Sequence, residues 1–212
     1  MDVSEAIKRR RSIRRFKPDP VPDETIRELI ESARLAPSGT NTQPWRFVIV
    51  KDDETKKELQ EAAHNQRYIR RAPVVIVCCA DLSAFKEFSA RVDELIESGA
   101  LPVRTREKFI PYLEKGMRTV KKEDLVAAAA TNVSIAVEHI VLRAVELGLG
   151  TCWVRWYDDN RVKKILEIPE TVEVMALLPL GVPDEDPSPR PRLSIDKLMY
   201  LERYGRNVSD QA

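Results

Sequence analysis

Residues 122–147 read KEDLVAAAATNVSIAVEHIVLRAVEL, the longest helical pattern in the chain. Leu125, Ala128, Ala129, Asn132, Ile135, Ala136, His139, Ile140 and Val145 recur at helical spacing and form a stripe with few charges. Such a helix spans ~39 Å, long enough to serve as the centre of a domain, and Gly148 stops it. Toward the C-terminus, 151–156 reads as a strand, 158–166 as a short helix and 172–182 as a buried strand. Toward the N-terminus, residues 73–80 (PVVIVCCA) are a continuous apolar run, the pattern of a strand covered on both faces. Before it come a strand at 46–51 and a charged surface helix at 52–63. A further helix opens at Asp23 and Glu24, where acidic residues favour a start. Residues 3–10 form a short helix ending in a basic cluster, and Pro18, Pro20 and Pro22 make an extended connector. Residues 83–97 read as a helix, and the Arg-, Lys- and aromatic-rich stretch after it has no clear period. The pattern predicts one α+β domain over 1–212: a mixed, mainly antiparallel sheet with surrounding helices and a long central helix.

Composition narrows the function. Of 212 residues, 43% are hydrophobic and 33% charged, which is globular rather than disordered. Lys+Arg number 35 against 34 Asp+Glu, so the excess positive charge expected of a nucleic-acid binder or an anionic-membrane binder is missing. No uninterrupted apolar run approaches the ~20 residues of a membrane span, and MDVSEAIKRRRS has no secretory core. Three cysteines, two of them adjacent, make no disulfide framework, so the expected setting is the cytoplasm. With two histidines a His-rich metal site is excluded, and none of the nucleotide-loop, zinc-protease or serine-hydrolase signatures occurs. His139 lies on the helical stripe and reads as a core or interface residue, and His64 as solvated. Cys78, Cys79 and Cys152 sit in apolar runs and read as inert thiols.

Three segments could carry chemistry. Residues 9–16 (RRRSIRRF) are either a solvated helix end or a phosphate clamp, because arginine forks match phosphate oxygens. Residues 36–45 (APSGTNTQPW) are either an ordinary turn or a rigid loop presenting amides and hydroxyls to a planar polar ring. Residues 148–156 (GLGTCWVRW) are either a helix stop with a buried strand or a strand end lining a pocket.

Together, RRSIRRF, APSGTNTQPWRFVIV, NQRYIRRAPVVIVCCAD, the Ala-rich helix, ELGLGTCWV and a Pro-rich stretch with Arg190 and Arg192 resemble, in that order, the FMN-dependent nitroreductase family. The resemblance covers the chain except 82–121. It implies an intertwined homodimer with non-covalent FMN at the interface, and a C-terminal arm over 183–212. Arg10, Arg11 and Ser12 would hold the phosphate, with Arg190 and Arg192 returning to it. Arg14 would sit beside the pyrimidine edge of the flavin and tune it, and Asn65 would touch the ring. Pro37, Ser38, Gly39 and Asn41 would come from the other chain. Val154, Arg155 and Trp156 would pass the reactive face. Family members often carry glycine or an acidic residue where Arg155 and Trp156 stand, so these two should narrow the cleft. Segment 82–121 would form a variable substrate pocket.

The implied activity is electron transfer from NADH or NADPH to a small electron-poor acceptor, a nitroaromatic or quinone, by a ping-pong mechanism. No catalytic side chain is required, because the flavin carries the chemistry. Alternatives on the same scaffold are enone reduction, reductive dehalogenation, or flavin binding without turnover. No nucleic acid, membrane or metal is expected as a partner.

Overall fold

The structure, a computed structural model, describes residues 1–206. Its centre is an antiparallel sheet of four strands, β1 (Trp45–Val50), β2 (Val74–Asp81), β3 (Gly150–Thr151) and β4 (Val172–Gly181), in the order β1-β2-β4-β3. β2 and β4 are central and covered on both faces, which is why both read as unbroken apolar runs. Alternation along β2 splits the core. Val74, Ile76, Cys78 and Ala80 face one layer, and Val75, Val77 and Cys79 face the other. The register slips between Cys78 and Cys79, which pair with Ala176 and Val174. The extra residue lets Met175 and Ala176 both enter the first layer.

The first layer is built by α2 (Asp23–Arg34) and α7 (Lys122–Glu146), with α1 (Val3–Arg9) beside α7. The second is built by α3 (Asp53–Ala62), the short α4 (Tyr68–Arg71) and α8 (Asp159–Ile165). α7 has the length expected of it, but its buried residues are Ala129, Val133, Ala136, Val137, Ile140, Val141 and Ala144. Of the predicted stripe, Ala128 and Ile135 are exposed and Leu125, Asn132 and His139 only half-buried. The helix is apolar nearly all round, so periodicity alone could not say which face meets the sheet. By length and hydropathy α7 could cross a membrane, yet in this fold it packs on β2 and α2. Only 33% of its most apolar window is buried within one chain.

Two further expectations change. The predicted strand at 151–156 is regular only over β3, with an isolated bridge between Val154 and Leu177. Beyond it Arg155 and Trp156 leave the sheet to make side-chain contacts described below. Segment 82–121 holds a 3-10 turn (Leu82–Glu87) and two helices, α5 (Phe88–Glu97) and α6 (Arg104–Met117). α6 escaped the sequence reading because Pro111 lies inside it.

The N-terminal segment after α1 runs along the β3 edge. Ser12 bridges Thr151 in parallel, Ile13 N–H donates to the Thr151 carbonyl at 2.9 Å, and Phe16 bridges Pro183. Gly150 permits this approach, and Gly181 the close passage of Pro73. A Cβ on Gly150 would lie 2.5 Å from Ile13 Cγ1, and one on Gly181 would lie 2.5 Å from Pro73 Cδ. The C-terminal arm follows from Pro183, with a 3-10 turn at Ile195–Lys197 and exposed Leu193, Ile195, Leu198 and Met199. Its last part, 207–212, lies outside the described residues.

Candidate active site

The basic cluster and the arm meet. Arg10 caps α1, its N–H donating to the Ala6 carbonyl, and the chain then turns extended. Arg10, Arg11, Ser12 and Arg14 from this segment, and Ser188, Arg190 and Arg192 from the arm, line a cleft of ≈ 300 Å³. The arm's prolines at 187, 189 and 191 restrict φ and hold it extended. Arg11 braces the junction. Its Nε–H donates to the Pro187 carbonyl at 3.2 Å, and its Nη1 to those of Lys8 and Arg10 at 2.7 and 2.8 Å. The Nη2 end of the fork makes no hydrogen bond among the described residues. Arg192 donates to the carbonyls of Arg190 and Pro191 at 3.3 and 3.1 Å. Glu185 accepts the backbone N–H groups of Arg14 and Arg15.

The cleft wall holds five arginines and Lys8, and no carboxylate. Like charges gathered this closely repel one another. They fit a compact anion that accepts several charge-assisted bonds, and a phosphate dianion is such a group. The donor set therefore fits the phosphate of FMN.

Next to the clamp, Arg14 lies over the Tyr68 ring at 5.8 Å. Tyr68 O–H donates to Gln66 Oε1 at 2.6 Å, and the Gln66 amide donates to the carbonyls of Ala63 and Trp156, both at 2.9 Å. Gln66 thus ties the Asn65 turn to the 156 turn. His64 and Asn65 both take the left-handed conformation, with φ of 54° and 59°, and His64 stacks on Trp156 with ring centroids 4.3 Å apart. Gln66 and Tyr68 are not singled out by the sequence, and their nearness to Asn65 is the one signal that points to them. His64, read as solvated, is exposed but stacked on Trp156. Trp156 is 67% exposed, whereas Val154 is buried with its N–H and C=O both bonded to Leu177. The Arg155 guanidinium donates to the Met175 carbonyl, so it is turned onto the sheet.

Pro37, Ser38, Gly39 and Asn41 lie elsewhere. Thr40, Asn41 and Gln43 all have φ near the left-handed region, at 53°, 53° and 46°. The turn is held by Gln43 N–H donating to Ser38 Oγ at 3.0 Å and by Gly39 N–H donating to Asn132 Oδ1 of α7 at 3.3 Å. It opens on a second cleft of ≈ 420 Å³, lined by Gly39, Thr40 and Thr42, by Phe85, Phe88, Leu113 and Met117, and by Ala128, Thr131 and Asn132 of α7. None of these side chains is charged. No residue lines both clefts. A larger cleft of ≈ 1090 Å³ lies between α2 and β1 and contains none of the expected site residues.

The side chains that could have supplied other chemistry are accounted for. Burial pushes the Cys78 thiol well up, that of Cys79 up to about 12, and that of Cys152 upward. All three are protonated at neutral pH and poor nucleophiles. His139 Nδ1 is 3.1 Å from the Ser32 carbonyl, a bond between helices rather than a reactive position. Among the described residues no group of three or more His, Cys, Asp or Glu could hold a metal.

The sheet wrapped by helices carries an arginine cluster with the donors to take a phosphorylated group. The family model described as Nitroreductase family matches residues 7–182. The chain is 37% identical over 199 residues to the NADH dehydrogenase of Thermus thermophilus, covering 94% of this chain and 95% of that one. It is 27% identical to the FMN reductase [NAD(P)H] of Bacillus subtilis, covering 96% and 74%. A protein from Exiguobacterium sibiricum solved in complex with FMN superimposes with a TM-score of 0.84 at 25% identity, covering 95% and 98%. The chain belongs to the nitroreductase family, whose members are FMN-dependent oxidoreductases.

Proposed function

We propose that this chain uses FMN to carry electrons from NADH or NADPH to a small electron-poor acceptor, a nitroaromatic or quinone, in ping-pong fashion. The observation that carries the reading is the carboxylate-free arginine clamp formed by Arg10, Arg11, Arg14, Arg190 and Arg192. Bound FMN supplies the redox chemistry. The chain's residues bind, orient and tune it. Arg10, Arg190, Arg192 and the Nη2 end of Arg11 hold the phosphate, with the Ser12 hydroxyl as a further donor. Arg14, held beside Tyr68, places a fixed cation at the pyrimidine edge, which favours the reduced, more negative state. Asn65 reaches the ring from a turn fixed by Gln66. Trp156, stacked on His64, borders the approach to it, while Arg155 is drawn back onto the Met175 carbonyl.

The same reading makes the protein a homodimer. The clamp and the turn at Gly39 and Thr40 line separate clefts in one chain, which supports a flavin held by the clamp of one chain and the loop of its partner. α7 leaves Ala128, Thr131 and Ile135 uncovered. The apolar side chains of the arm and the open groove beside β1 also lack a covering layer. The loop cleft, lined by Phe85, Phe88, Leu113 and Met117 without a charge, suits a flat, neutral acceptor, and segment 82–121 then sets its identity.

The test is the visible spectrum of the purified protein, before and after anaerobic addition of each nicotinamide. A yellow protein that releases FMN with acid and is bleached by NADH or NADPH is expected. A colourless protein that takes up no FMN, or a flavin that neither donor reduces, refutes the activity.

A further inference from the structure

On the outer side of α4, away from Tyr68, lies a cleft of ≈ 590 Å³ that the flavin reading does not use. Its polar lining comes from Asp53, Lys56 and Gln60 of α3 and from Arg67, Arg70 and Arg71 at α4. We propose that this cleft is a second anion site, built to take a dianionic phosphate group, either orthophosphate or the phosphate of a small phosphomonoester.

The argument starts from Lys56, which is only 7% exposed. Its ammonium has three donors, and one is used, by the Ala72 carbonyl at 2.9 Å. A buried ammonium is costly unless an opposite charge meets it. The one carboxylate in the cleft wall is already engaged, since Asp53 accepts from Arg70 Nε and Nη2 at 3.1 and 2.6 Å. That pairing holds the Asp53 carboxyl below its ordinary range. Burial pushes the Lys56 ammonium down, with the charges of Asp53 and Asp52 opposing and Arg70 adding to it. Arg67 and Arg71 are exposed and make no side-chain hydrogen bond or ion pair among the described residues. Four cations therefore line the cleft against one carboxylate, which is bonded to Arg70. Two of them carry complete, unoccupied guanidinium forks, and one is a buried ammonium with donors to spare.

Guanidinium forks together with an ammonium match the several acceptor oxygens of a phosphate dianion better than the two of a carboxylate. The Gln60 amide and the walls of Pro18 and Pro73 leave room beyond the bare anion. The site is separate from the clamp, because no residue lines both. It also touches the same short segment. Arg67, Arg70 and Arg71 face the anion cleft, while Tyr68 lies under Arg14.

The experiment titrates FMN-saturated protein, whose clamp is filled, with orthophosphate and with glycerol 3-phosphate at low ionic strength, read by calorimetry. One saturable event per chain is expected, weakened about tenfold or more in Arg67→Gln/Arg71→Gln, with FMN content unchanged. Tighter binding of glycerol 3-phosphate than of orthophosphate supports a phosphomonoester site, and equal binding supports a site for the free anion. Lys56→Met should also lose binding, but it strips the Ala72 carbonyl of its donor and could unfold the chain. The surface double variant therefore decides the matter. No saturable binding of either probe, or undiminished binding to the double variant, overturns the proposal.

Discussion

The clamp cleft and the loop cleft are built from opposite materials. The first is drawn from the two ends of the chain, is crowded with arginines, and is braced by backbone carbonyls that accept from Arg11 and Arg192. The second is drawn from the middle of the chain, carries no charge, and is shaped by left-handed turn residues and aromatic side chains. FMN has the same division, with a dianion at one end and a flat ring system at the other. The difference teaches that affinity and selectivity reside in different regions. Charge removed from the first should cost binding of the cofactor, and shape altered in the second should change what the cofactor meets.

The largest effect is expected at the clamp. Arg10→Ala combined with Arg192→Ala removes two charge-assisted partners, each worth ~1.5–3 kcal/mol. FMN affinity should fall ~100-fold or more, as measured by flavin fluorescence titration. An unchanged affinity would mean that the arginine cleft is not the phosphate site. The division between chains can be broken directly by complementation. Arg10→Ala/Arg11→Ala and Ser38→Asp homodimers should each bind FMN poorly. Unfolded, mixed one to one and refolded, they should regain roughly a quarter of wild-type sites, because half the dimers pair one of each and hold one intact site. No recovery places clamp and loop on the same chain.

A smaller effect is expected where the N-terminal segment lies on the sheet. Gly150→Ala puts a methyl group 2.5 Å from Ile13 Cγ1, and overpacking of this kind costs ~1–3 kcal/mol. Tm should fall, and FMN binding should weaken with it as the clamp is displaced. A fall in Tm with full FMN affinity would show that the clamp tolerates displacement of its seat. In the loop cleft, Leu113→Ala should alter KM for quinones several-fold and leave FMN affinity alone. The reverse pattern would erase the distinction between the clefts.

The smallest effect concerns Glu138 on α7. Burial raises its carboxyl above the ordinary range, against the opposing pull of Arg10 and a bond from Trp153. A group raised in the folded state favours folding at low pH and loses that contribution as pH rises through its folded value. At neutral pH the buried charge is therefore a burden, and Glu138→Gln should raise Tm by about 1–3 °C. The gain should shrink as the pH falls into the ordinary glutamate range. A gain that does not vary with pH would remove ionisation as its cause.

Much of this was legible in the sequence, for identifiable reasons. Continuous apolar runs gave away β2 and β4 because both faces of those strands are covered. The length of α7 was readable, but its buried face was not, because Ala127 to Ala130 present similar surfaces in every direction. α6 was hidden by Pro111, a residue that breaks most helices. The arginine cluster and the arm were both picked out as basic, yet nothing in their composition showed that Arg11 spends part of its fork on main-chain carbonyls. The bonds from Gln66 to Ala63 and Trp156, and the turning of Arg155 onto Met175, depend on contacts between distant segments that no local pattern encodes.

The bond from Arg11 to Pro187 closes a loop of 176 residues. Its consequence lies in biogenesis. At ~5–20 residues per second of synthesis, about 9–35 s separate the emergence of its two halves. Throughout that interval a cluster of arginines stands on the nascent chain without the Pro187 carbonyl that later accepts from Arg11. The central strand β4 is complete only at Gly181, just before the arm emerges. Synthesis therefore delivers the helices and the sheet first and the arm last. A chain stalled before residue 187 should be folded in its core and unable to retain the cofactor.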